Sequence, residues 1–462
     1  MTIATAAGVP INYGVYGTTV TADPDPRTCN YTHFDLTVEQ LGRTQRYNCW
    51  GFTFIPRRYW IDSDVDVDNI IRDNCVPVSP GSILPGDVIR YRDDYGTTTH
   101  TGRVWQTDGT GNAALVRSKW GGWAEYLHLP LDVPSIYGTH LAFFRQILPL
   151  RGIADLWIKD SPADTGEQCS AAPWWTSPDI LVDVPPYDGV PDANPVFSHV
   201  NRVWTRISNR GDLDAPSVYV RYYWADPSAG LAPANWNLIP ATAGHPNPAG
   251  PFTVPASATI DAPYVEWTPT AAPAHQCLLA VAYINDDPRD SNNPDPLVYP
   301  FDVPWDNSIG QRNVTVMYMK AGGKHKFQIF TTAPWHLKGS LAGEINVVIA
   351  HAPRASILGQ PTKPAALDAK VAIEGGKPLA LKPLAAARRR PMLDLPDLRL
   401  LGTPIAMGAP HKTVFAPKKR QRIDIDVTVP KTATPGSTYY VHLVQRAGNT
   451  VTGGYTVAIL VE

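Results

Sequence analysis

The segment Arg46-Tyr47-Asn48-Cys49-Trp50-Gly51-Phe52-Thr53-Phe54 places a cysteine between an asparagine and an aromatic run. The aromatic run is typical of the first turns of a buried helix, so we expect a helix to begin near Cys49. At a helix N-terminus, unpaired N–H groups and the helix dipole stabilise a thiolate, and the N–H beside the sulfur lies where an oxyanion would form. The segment therefore suits a nucleophile. Core packing is the alternative interpretation, because cysteine is among the most often buried residues.

Length and composition describe a folded protein of several domains. The chain has 462 residues, too many for one ordinary core, so we expect three domains. Its 44% hydrophobic and 18% charged residues are typical of a globular protein. The 46 prolines, together with 14 tryptophans and 20 tyrosines, favour short strands and turns with aromatic cores over long helices.

Charge and hydropathy exclude several classes of function. A net charge of -2 argues against a general binder of nucleic acid or of membrane surfaces. No run of about 18 apolar residues occurs, so we expect no membrane-spanning helix. The N-terminus has no basic n-region and no long apolar h-region, so we expect no secretory signal. The compartment stays open between the cytoplasm and export by a signal-independent route.

The five cysteines allow one catalytic thiol and two disulfides. Pairing Cys29 with Cys75 and Cys169 with Cys277 would leave Cys49 free, which suits an oxidising compartment. In a cytosolic protein all five would be thiols, and both states remain open at this stage.

Residues 1–150 form the first predicted unit. The acidic run from Asp62 to Asp68 lacks the glycine and the closing glutamate of an EF-hand, so it predicts a helix start instead. Strands are expected after Pro85-Gly86-Asp87, around His100, and from Ala114 to Gly121. Asp-Gly at positions 108 and 109, between the last two strands, is a strong hairpin signal.

The rest of the chain predicts two β-sandwiches, at residues 151–315 and 316–462. Short alternating or continuously apolar runs are separated by Pro, Gly, Asn and Asp clusters, which is typical of a sandwich. Examples are Val218 to Trp224 and Tyr439 to Val444. Residues 358–395, which include Arg388-Arg389-Arg390, are rich in Pro, Ala, Lys and Arg and predict an insertion loop. Its basic run could contact an acidic partner or remain solvated.

Cys49, His100 and Ser118 occur in an order that suits a thiol hydrolase. Such a site needs a thiol at a helix N-terminus, an imidazole on a facing strand to take its proton, and a polar group on the next strand to orient the imidazole. Side chains on adjacent antiparallel strands lie about 5 Å apart, so a hairpin can bring His100 near Ser118. A strand histidine that is simply hydrogen-bonded is the alternative interpretation of His100.

Residues 47–121 resemble the papain-fold hydrolases of the NlpC group and the CHAP amidases. The matching motifs are Asn48-Cys49-Trp50-Gly51-Phe52, Pro85-Gly86-Asp87-Val88-Ile89 and His100-Thr101-Gly102-Arg103-Val104, in the family's order. The resemblance implies an α+β papain-like domain with Cys49 as nucleophile and His100 as base. The third residue would be Ser118, where the family usually carries Glu, Asn, Gln or His. Lys119, Asn112 and His128 are the other candidates.

Residues 179–314 resemble a CARDB-like or other immunoglobulin-like adhesion module of bacterial surface and secreted proteins. The resemblance implies a β-sandwich that binds or spaces. It is carried by Pro178-Asp179-Ile180, Asn201 to Gly211, Val220 to Pro227, His275 to Val281 and Trp305 to Val314.

No cofactor or metal site is predicted. Asp226, Asp306 and Asn307 could suggest a metal, but Asp and Asn at strand ends are more often turn formers. The chain contains no paired Cys-x-x-Cys, no His-Glu-x-x-His and no phosphate loop. Trp174-Trp175 could stack on a sugar or an aromatic partner, and core filling is the favoured interpretation.

The leading hypothesis is a multidomain protein: an α+β papain-like cysteine hydrolase followed by two all-β sandwich domains. By resemblance, its substrate would be a peptide or amide bond of bacterial cell wall, and the sandwiches would contact a protein or glycan partner. The alternatives are an inactive binding or structural protein and a thiol acyltransferase, deamidase or transglutaminase-type toxin. Neither nucleic acid nor a membrane span is expected.

Overall fold

A computed structural model of the chain provides the fold. It describes residues 2–16, 38–41, 43–55, 57–108, 110–166, 170, 173–192, 194–230, 235–269, 276–284, 303–332, 341–352, 367–373, 377–379, 381–383, 401–416, 419–447 and 450–462. Cys29, Cys169 and the predicted insertion at 358–395, except for residues 367–373, 377–379 and 381–383, lie outside these residues.

The first unit is built on a seven-stranded antiparallel sheet with strand order β2-β8-β7-β6-β5-β9-β4. Its helices are α1 (Cys49–Phe54) and α2 (Asp64–Asn74), and a 3₁₀ turn covers Ser135–Tyr137. Its strands are β1 (Tyr13–Gly14), β2 (Val38–Leu41), β3 (Trp60–Ile61), β4 (Cys75–Val78), β5 (Val88–Arg92), β6 (Thr98–Thr107), β7 (Ala113–Lys119), β8 (Glu125–His128) and β9 (His140–Gln146). β1 and β3 form a separate two-stranded pair.

Local sequence explains both helices. The side chain of Asn48 caps α1, and that of Ser63 caps α2. The acidic run therefore begins a helix, as the sequence predicted. α2 buries Val67, Ile70 and Ile71, spaced three and four residues apart, against the sheet. No helix in the described part of the chain is long and apolar enough to cross a membrane.

The sheet of the first unit buries both of its faces. One face packs against α1 and α2 through a cluster that includes Val88 and Phe54. The other face carries an aromatic cluster that includes Tyr91, Trp120 and Tyr137. Alternate residues of each strand therefore belong to two different cores.

The expected α+β papain-like class is wrong. The described chain is nearly all β, with two α-helices of 6 and 11 residues among 29 strands. The sequence patterns marked two helix starts and several strands, and the α+β class came from the resemblance. Proline, glycine and β-branched or aromatic runs fill the chain with strands instead.

The second unit consists of two facing five-stranded sheets. One contains β10-β12-β11 with β16 and β17, and the other contains β14-β13-β18-β19 with β15. Their shared core includes Val203 and Val218. The strands are β10 (Leu156–Trp157), β11 (Ile180–Asp183), β12 (Asn201–Asn209), β13 (Ala215–Ala225), β14 (Asn237–Leu238), β15 (Ala249–Val254), β16 (Thr259–Asp261), β17 (Val265–Trp267), β18 (Cys277–Ile284) and β19 (Ile309–Arg312).

The third unit consists of a seven-stranded and a three-stranded sheet. The larger has the order β20-β29-β28-β22-β25-β24, with β26 on β22, and the smaller is β21-β27-β23. β20 and β29 pair in parallel. The strands are β20 (Val314–Met319), β21 (Lys324–Thr331), β22 (Leu341–Ala352), β23 (Asp368–Ile373), β24 (Leu381–Pro383), β25 (Thr403–Gly408), β26 (His411–Phe415), β27 (Gln421–Thr428), β28 (Thr438–Ala447) and β29 (Thr450–Val461).

The second and third units share a core. On β18, Leu278 faces the core of the second unit, whereas Leu279 and Val281 pack with the third. Only Asn313 separates β19 from β20, so the expected boundary at residue 315 falls inside β20. Trp175 lies at this junction, where its indole N–H donates to the Thr456 hydroxyl at 3.1 Å.

Of the two cysteine states that the sequence left open, the described cysteines are in the thiol state. Cys49, Cys75 and Cys277 are free and buried. Cys75 packs in the core beside α2, and Cys277 lies in the core shared by the second and third units. Burial, rather than pairing, accounts for these two residues.

Trp175→Ala is expected to destabilise the two sandwiches together. The side chain is fully buried, and a Cβ on Gly454 would touch its ring, so truncation leaves a cavity at the junction. Such losses cost about 3–5 kcal/mol. Scanning calorimetry should show a lowered Tm for the sandwich transition. Tyr318→Ala, which changes a residue with 59% exposure, is the control, and an equal loss in both variants would contradict the shared core.

Candidate functional site

Cys49 begins α1, as the sequence predicted. The side chain of Asn48 accepts a hydrogen bond from the Gly51 N–H at 2.9 Å and so fixes the helix start. Thr101 of β6 holds the helix on the sheet. Its hydroxyl donates to the Thr53 hydroxyl at 2.9 Å, and Thr53 donates to the Cys49 carbonyl at 2.8 Å. The helix and the central strand therefore position the thiol.

The Cys49 thiol is buried but surrounded by groups that favour a thiolate. Burial raises the pKa of the thiol to about 12, although the N–H groups of Thr101 and Trp50 and the charge of Lys119 act in the opposite direction. The pairing of β6 with β7 ends at Arg103, which lies opposite Arg117, so Thr101 lies beyond the last pair. The N–H of Thr101 faces the sulfur there. In this conformation Cys49 is protonated.

Lys119 is the cation nearest to this chemistry. Its ammonium donates to the carbonyls of Thr44 at 2.9 Å and Gly121 at 2.6 Å, and also to that of Trp123. Burial lowers the pKa of Lys119 to about 7, while Glu125 and Cys49 act to raise it. Because carbonyl oxygens can only accept, these three contacts favour the charged ammonium.

His100 projects from the opposite face of β6. Thr101 faces α1, and successive side chains of a strand alternate between faces. The His100 ring stacks on Tyr137, with centroids 3.9 Å apart and planes 6° from parallel, and lies 5.2 Å from the ring of Tyr91. Burial, and to a smaller extent His128, hold the pKa of His100 well below its ordinary value. The imidazole is therefore neutral.

The expected hydrogen bond between Cys49 and His100 is not formed. Both ring nitrogens of His100 are buried, and neither has a hydrogen-bond partner among the described residues. The two groups are still close along the backbone, because the Thr101 N–H that faces the sulfur belongs to the peptide bond that follows His100. A buried polar atom without a partner costs about 1–3 kcal/mol, so the fold holds this ring at a cost.

Ser118 lies on the same face as His100, within a network of three side chains. Its hydroxyl is 2.8 Å from Nε2 of His128, and the indole N–H of Trp120 donates to it at 3.0 Å. Nδ1 of His128 is 2.7 Å from the Leu129 carbonyl, so this nitrogen carries the proton and Nε2 accepts from Ser118. Burial lowers the pKa of His128 to about 4, which keeps it neutral. We call Trp120, Ser118 and His128 the Ser118 network.

The other candidates for the third catalytic residue lie in three different places. Lys119 lies on the α1 face, away from His100. Asn112 lies in the turn between β6 and β7, where its amide donates to Asp108 and Thr110. His128 belongs to the Ser118 network. Gly102 explains the close approach of β6 to Ser118, because a Cβ there would come within 2.9 Å of the Ser118 Cβ.

Sequence reasoning missed a buried charge cluster under α1. The Glu125 carboxylate accepts from Tyr47 at 2.7 Å, from Arg57 at 2.7 and 3.1 Å, and from Arg117 at 3.0 Å. Burial alone would raise the pKa of Glu125, but Arg57 and Arg117 together lower it to about 2. The alternation of Arg117 and Lys119 on β7 was the available signal, because it marks a polar strand face.

The remaining candidates have structural roles. Trp175 is buried, as favoured from the sequence, and Trp174 packs against the same core. Asp226 pairs with Arg420 at 3.0 Å, and the Asn307 amide donates to the Gly166 carbonyl at 2.7 Å. Within the described residues, no group of three or more His, Cys, Asp and Glu side chains could hold a metal ion.

Comparisons with known proteins do not identify a family. No protein-family model matches the chain, and no curated protein matches it. A family 123 glycoside hydrolase from Clostridium perfringens is 10% identical with a TM-score of 0.19, over 33% of this chain and 23% of that chain. Red sea bream transglutaminase is 9% identical with a TM-score of 0.16, over 80% and 40%. The CupB6 tip adhesin from Pseudomonas aeruginosa is 9% identical with a TM-score of 0.14, over 61% and 98%. The chain spans less than half the length of the first two, and such low scores carry no argument.

His100→Phe is expected to weaken the acid sensitivity of folding. A histidine whose pKa is lowered by folding binds its proton first in the unfolded chain, so its stability contribution is complete above about pH 6.5 and is lost as pH falls below that value. Each such histidine contributes a slope of roughly 1.4 kcal/mol per pH unit. Urea unfolding at pH 7, 6 and 5 should show a shallower slope in the variant.

His140→Phe is the matched control, because the His140 side chain is 64% exposed. This variant should keep the slope of the parent protein. Equal slopes in all three proteins would show that the His100 ring is not held neutral by the fold.

Proposed function

We propose that this protein is a cysteine-dependent hydrolase of a peptide or amide bond, with Cys49 as nucleophile and His100 as base. One observation carries the proposal. Both ring nitrogens of His100 are buried without a partner, on the strand residue whose following N–H faces the Cys49 sulfur. Native structures rarely leave a buried imidazole unpaired, and such exceptions are typical of functional sites.

The reaction divides into two transfers. His100 takes the thiol proton, and the thiolate attacks the substrate carbonyl to form a tetrahedral oxyanion. The oxyanion collapses to a thioester as the leaving amine takes the proton from His100. Water then attacks the thioester, gives a proton to His100, and releases the acid and the Cys49 thiol. The N–H groups of Trp50 and Thr101 and the ammonium of Lys119 stabilise negative charge at the sulfur.

In the proposed mechanism, this conformation is the closed form of the site. Cys49 is 5% exposed, and the ring of Tyr137 covers His100. Tyr137 ends a 3₁₀ turn, and Gly138 follows it with a φ of 76°, where a Cβ would lie 2.1 Å from the Arg92 carbonyl oxygen. In the proposed reaction, displacement of Tyr137 frees the imidazole. His100 projects from the face of β6 opposite Thr101, so the strand must also turn at residues 100 and 101 to bring the ring to the sulfur.

The proposed substrate is a peptide, with cell-wall peptide first among the candidates because of the sequence motifs around Cys49 and His100. The two sandwiches would then bind or space the target. Transfer of the acyl group to an amine in place of water would make the same site an acyltransferase, and product masses distinguish the two.

A non-catalytic binding protein is the second candidate. It is favoured by the high pKa of the Cys49 thiol and by the missing Cys49–His100 hydrogen bond. In that case the buried thiol is simply part of the core beneath α1.

Cys49→Ala is expected to abolish hydrolysis. The assay incubates the full chain with cell-wall peptides and with a peptide library, and follows products by mass spectrometry. Loss of the nucleophile should lower the rate by about a thousandfold or more, and His100→Gln should do the same. Cys75→Ala is the control, because Cys75 is also a buried free thiol of the first unit.

Absence of product from every substrate, together with failure of iodoacetamide to label Cys49 in the native protein between pH 6 and 9, would favour the non-catalytic candidate. Equal loss of activity in Cys49→Ala and Cys75→Ala would assign the effect to packing.

Ser118→Ala is expected to lower kcat by about tenfold to a hundredfold with little change in KM. In the neutral state that the pKa of His128 implies, the Ser118 hydroxyl gives its proton to His128 and accepts from Trp120, which leaves one lone pair. In the proposed reaction this lone pair accepts an N–H of His100, whose ring makes no hydrogen bond with the described residues in this conformation. Ser118→Thr keeps the hydroxyl and should restore activity. The acid limb of the pH–rate profile should shift only in the alanine variant, and an unshifted limb would reduce Ser118 to a packing role.

A further inference from the structure

A cavity of about 770 Å³ lies between the first and second units. It lies beside the C-terminal part of α1, with Phe52 and Phe54 in its wall, and Cys49 is not among its lining residues. Trp105 of β6 and Trp305 of the second unit stack with centroids 4.3 Å apart and form part of the boundary. The size is that of a small-molecule site, and such sites are frequent between domains.

The cavity wall carries more positive than negative charge. Six arginines and four aspartates line it, and Glu125 lies behind the wall against Arg57 and Arg117. Counting these groups leaves an excess of one positive charge. The lining arginines are Arg57, Arg58, Arg103, Arg117, Arg145 and Arg210, and the lining aspartates are Asp87, Asp155, Asp164 and Asp306.

Arg103 is a buried cation without a carboxylate partner among the described residues. Its guanidinium donates to the carbonyls of Thr53 and Gly86 and to the side-chain oxygen of Gln146. Burial lowers its pKa to about 10, against the influence of Cys75 and Asp87, so it stays charged at neutral pH. Asp87 is itself held by Arg145 at 2.8 Å. An uncompensated buried charge is costly, and an anion in the cavity would offset that cost.

Arg58 is the second available cation. The one hydrogen bond of its guanidinium within the described part of the chain goes to the Ala154 carbonyl at 3.2 Å, so donors remain for a ligand. The other lining arginines are engaged by carboxylates: Arg57 and Arg117 by Glu125, and Arg210 by Asp155.

We propose that this cavity binds a small organic anion, a carboxylate or phosphate monoester with a flat apolar body. Arg58 and Arg103 provide the charge, and the aromatic wall contacts the body. The Arg58 guanidinium has free N–H groups that match the oxygens of either anion, Arg103 contributes charge, and the Phe52 and Phe54 side chains in the wall suit an apolar body. The proposal is independent of the chemistry at Cys49.

The test is calorimetric titration of the full chain with three matched probes: 2-naphthyl phosphate, 2-naphthoate and neutral 2-naphthalenemethanol. At least one anion should bind with 1:1 stoichiometry and at least tenfold more tightly than the neutral probe. Its affinity should fall as NaCl is raised. The tighter of the two anions identifies the head group.

Arg58→Gln should weaken binding of that anion by at least tenfold. Arg72→Gln is the control, because Arg72 lies on α2 outside the cavity with a side chain that is 61% exposed. Arg103→Met, checked for folding by circular dichroism, should remove binding. Failure of both anions to bind, equal binding of the neutral probe, or unchanged affinity in Arg58→Gln would overturn the proposal.

Discussion

The candidate site depends on the hydrogen bonds and ion pairs of the buried Glu125 carboxylate. Tyr47 reaches it from before α1, Arg57 from after α1, and Arg117 from β7. The two oxygens of this one carboxylate therefore hold both ends of the helix that begins with Cys49. Removing one partner of a buried ion pair leaves an uncompensated charge and costs about 3–5 kcal/mol. The short helix keeps its place through this cluster rather than through its own length, because six residues are too few for a stable isolated helix.

The groups of the candidate site lie on two different faces of β6. Thr101 and Arg103 belong to the face with the helix and the charge cluster, whereas His100 belongs to the aromatic face with Tyr137. The sulfur of Cys49 faces the Thr101 N–H beyond the last β6–β7 pair, while β6 stays paired with β5 there through Thr101 opposite Arg90. The stack on Tyr137 compensates in part for the unpaired ring nitrogens, since aromatic pairs contribute about 0.5–1.5 kcal/mol beyond burial. A modest change at Tyr137 is therefore enough to alter the energy of His100.

Local features of the chain could be predicted from sequence, and relations across the sheet could not. The aromatic run after Cys49 predicted the start of α1, and the Asp-Gly dipeptide at positions 108 and 109 predicted the β6–β7 hairpin. The sequence could in principle show that His100 and Thr101 face opposite sides of the sheet, because successive side chains of a strand alternate. The lack of a hydrogen-bond partner for the His100 ring could not be predicted, because it depends on where the 3₁₀ turn that ends at Tyr137 packs. The α+β class failed because motifs that resemble those of a family specify a few residues of a site and not the helices around it.

The sequence also indicated that β18 is buried on both of its faces. The run from Cys277 to Ile284 is continuously apolar, which indicates a strand buried on both faces rather than the half-buried strand of a free-standing sandwich. β18 does serve two cores, so the second and third units form one packed body. The first unit is attached to that body by Arg57 to Asp306 at 3.4 Å and by the stack of Trp105 on Trp305. Contacts of this kind are typical of interfaces between domains of one chain, which allow more relative movement than the hydrophobic core that the two sandwiches share.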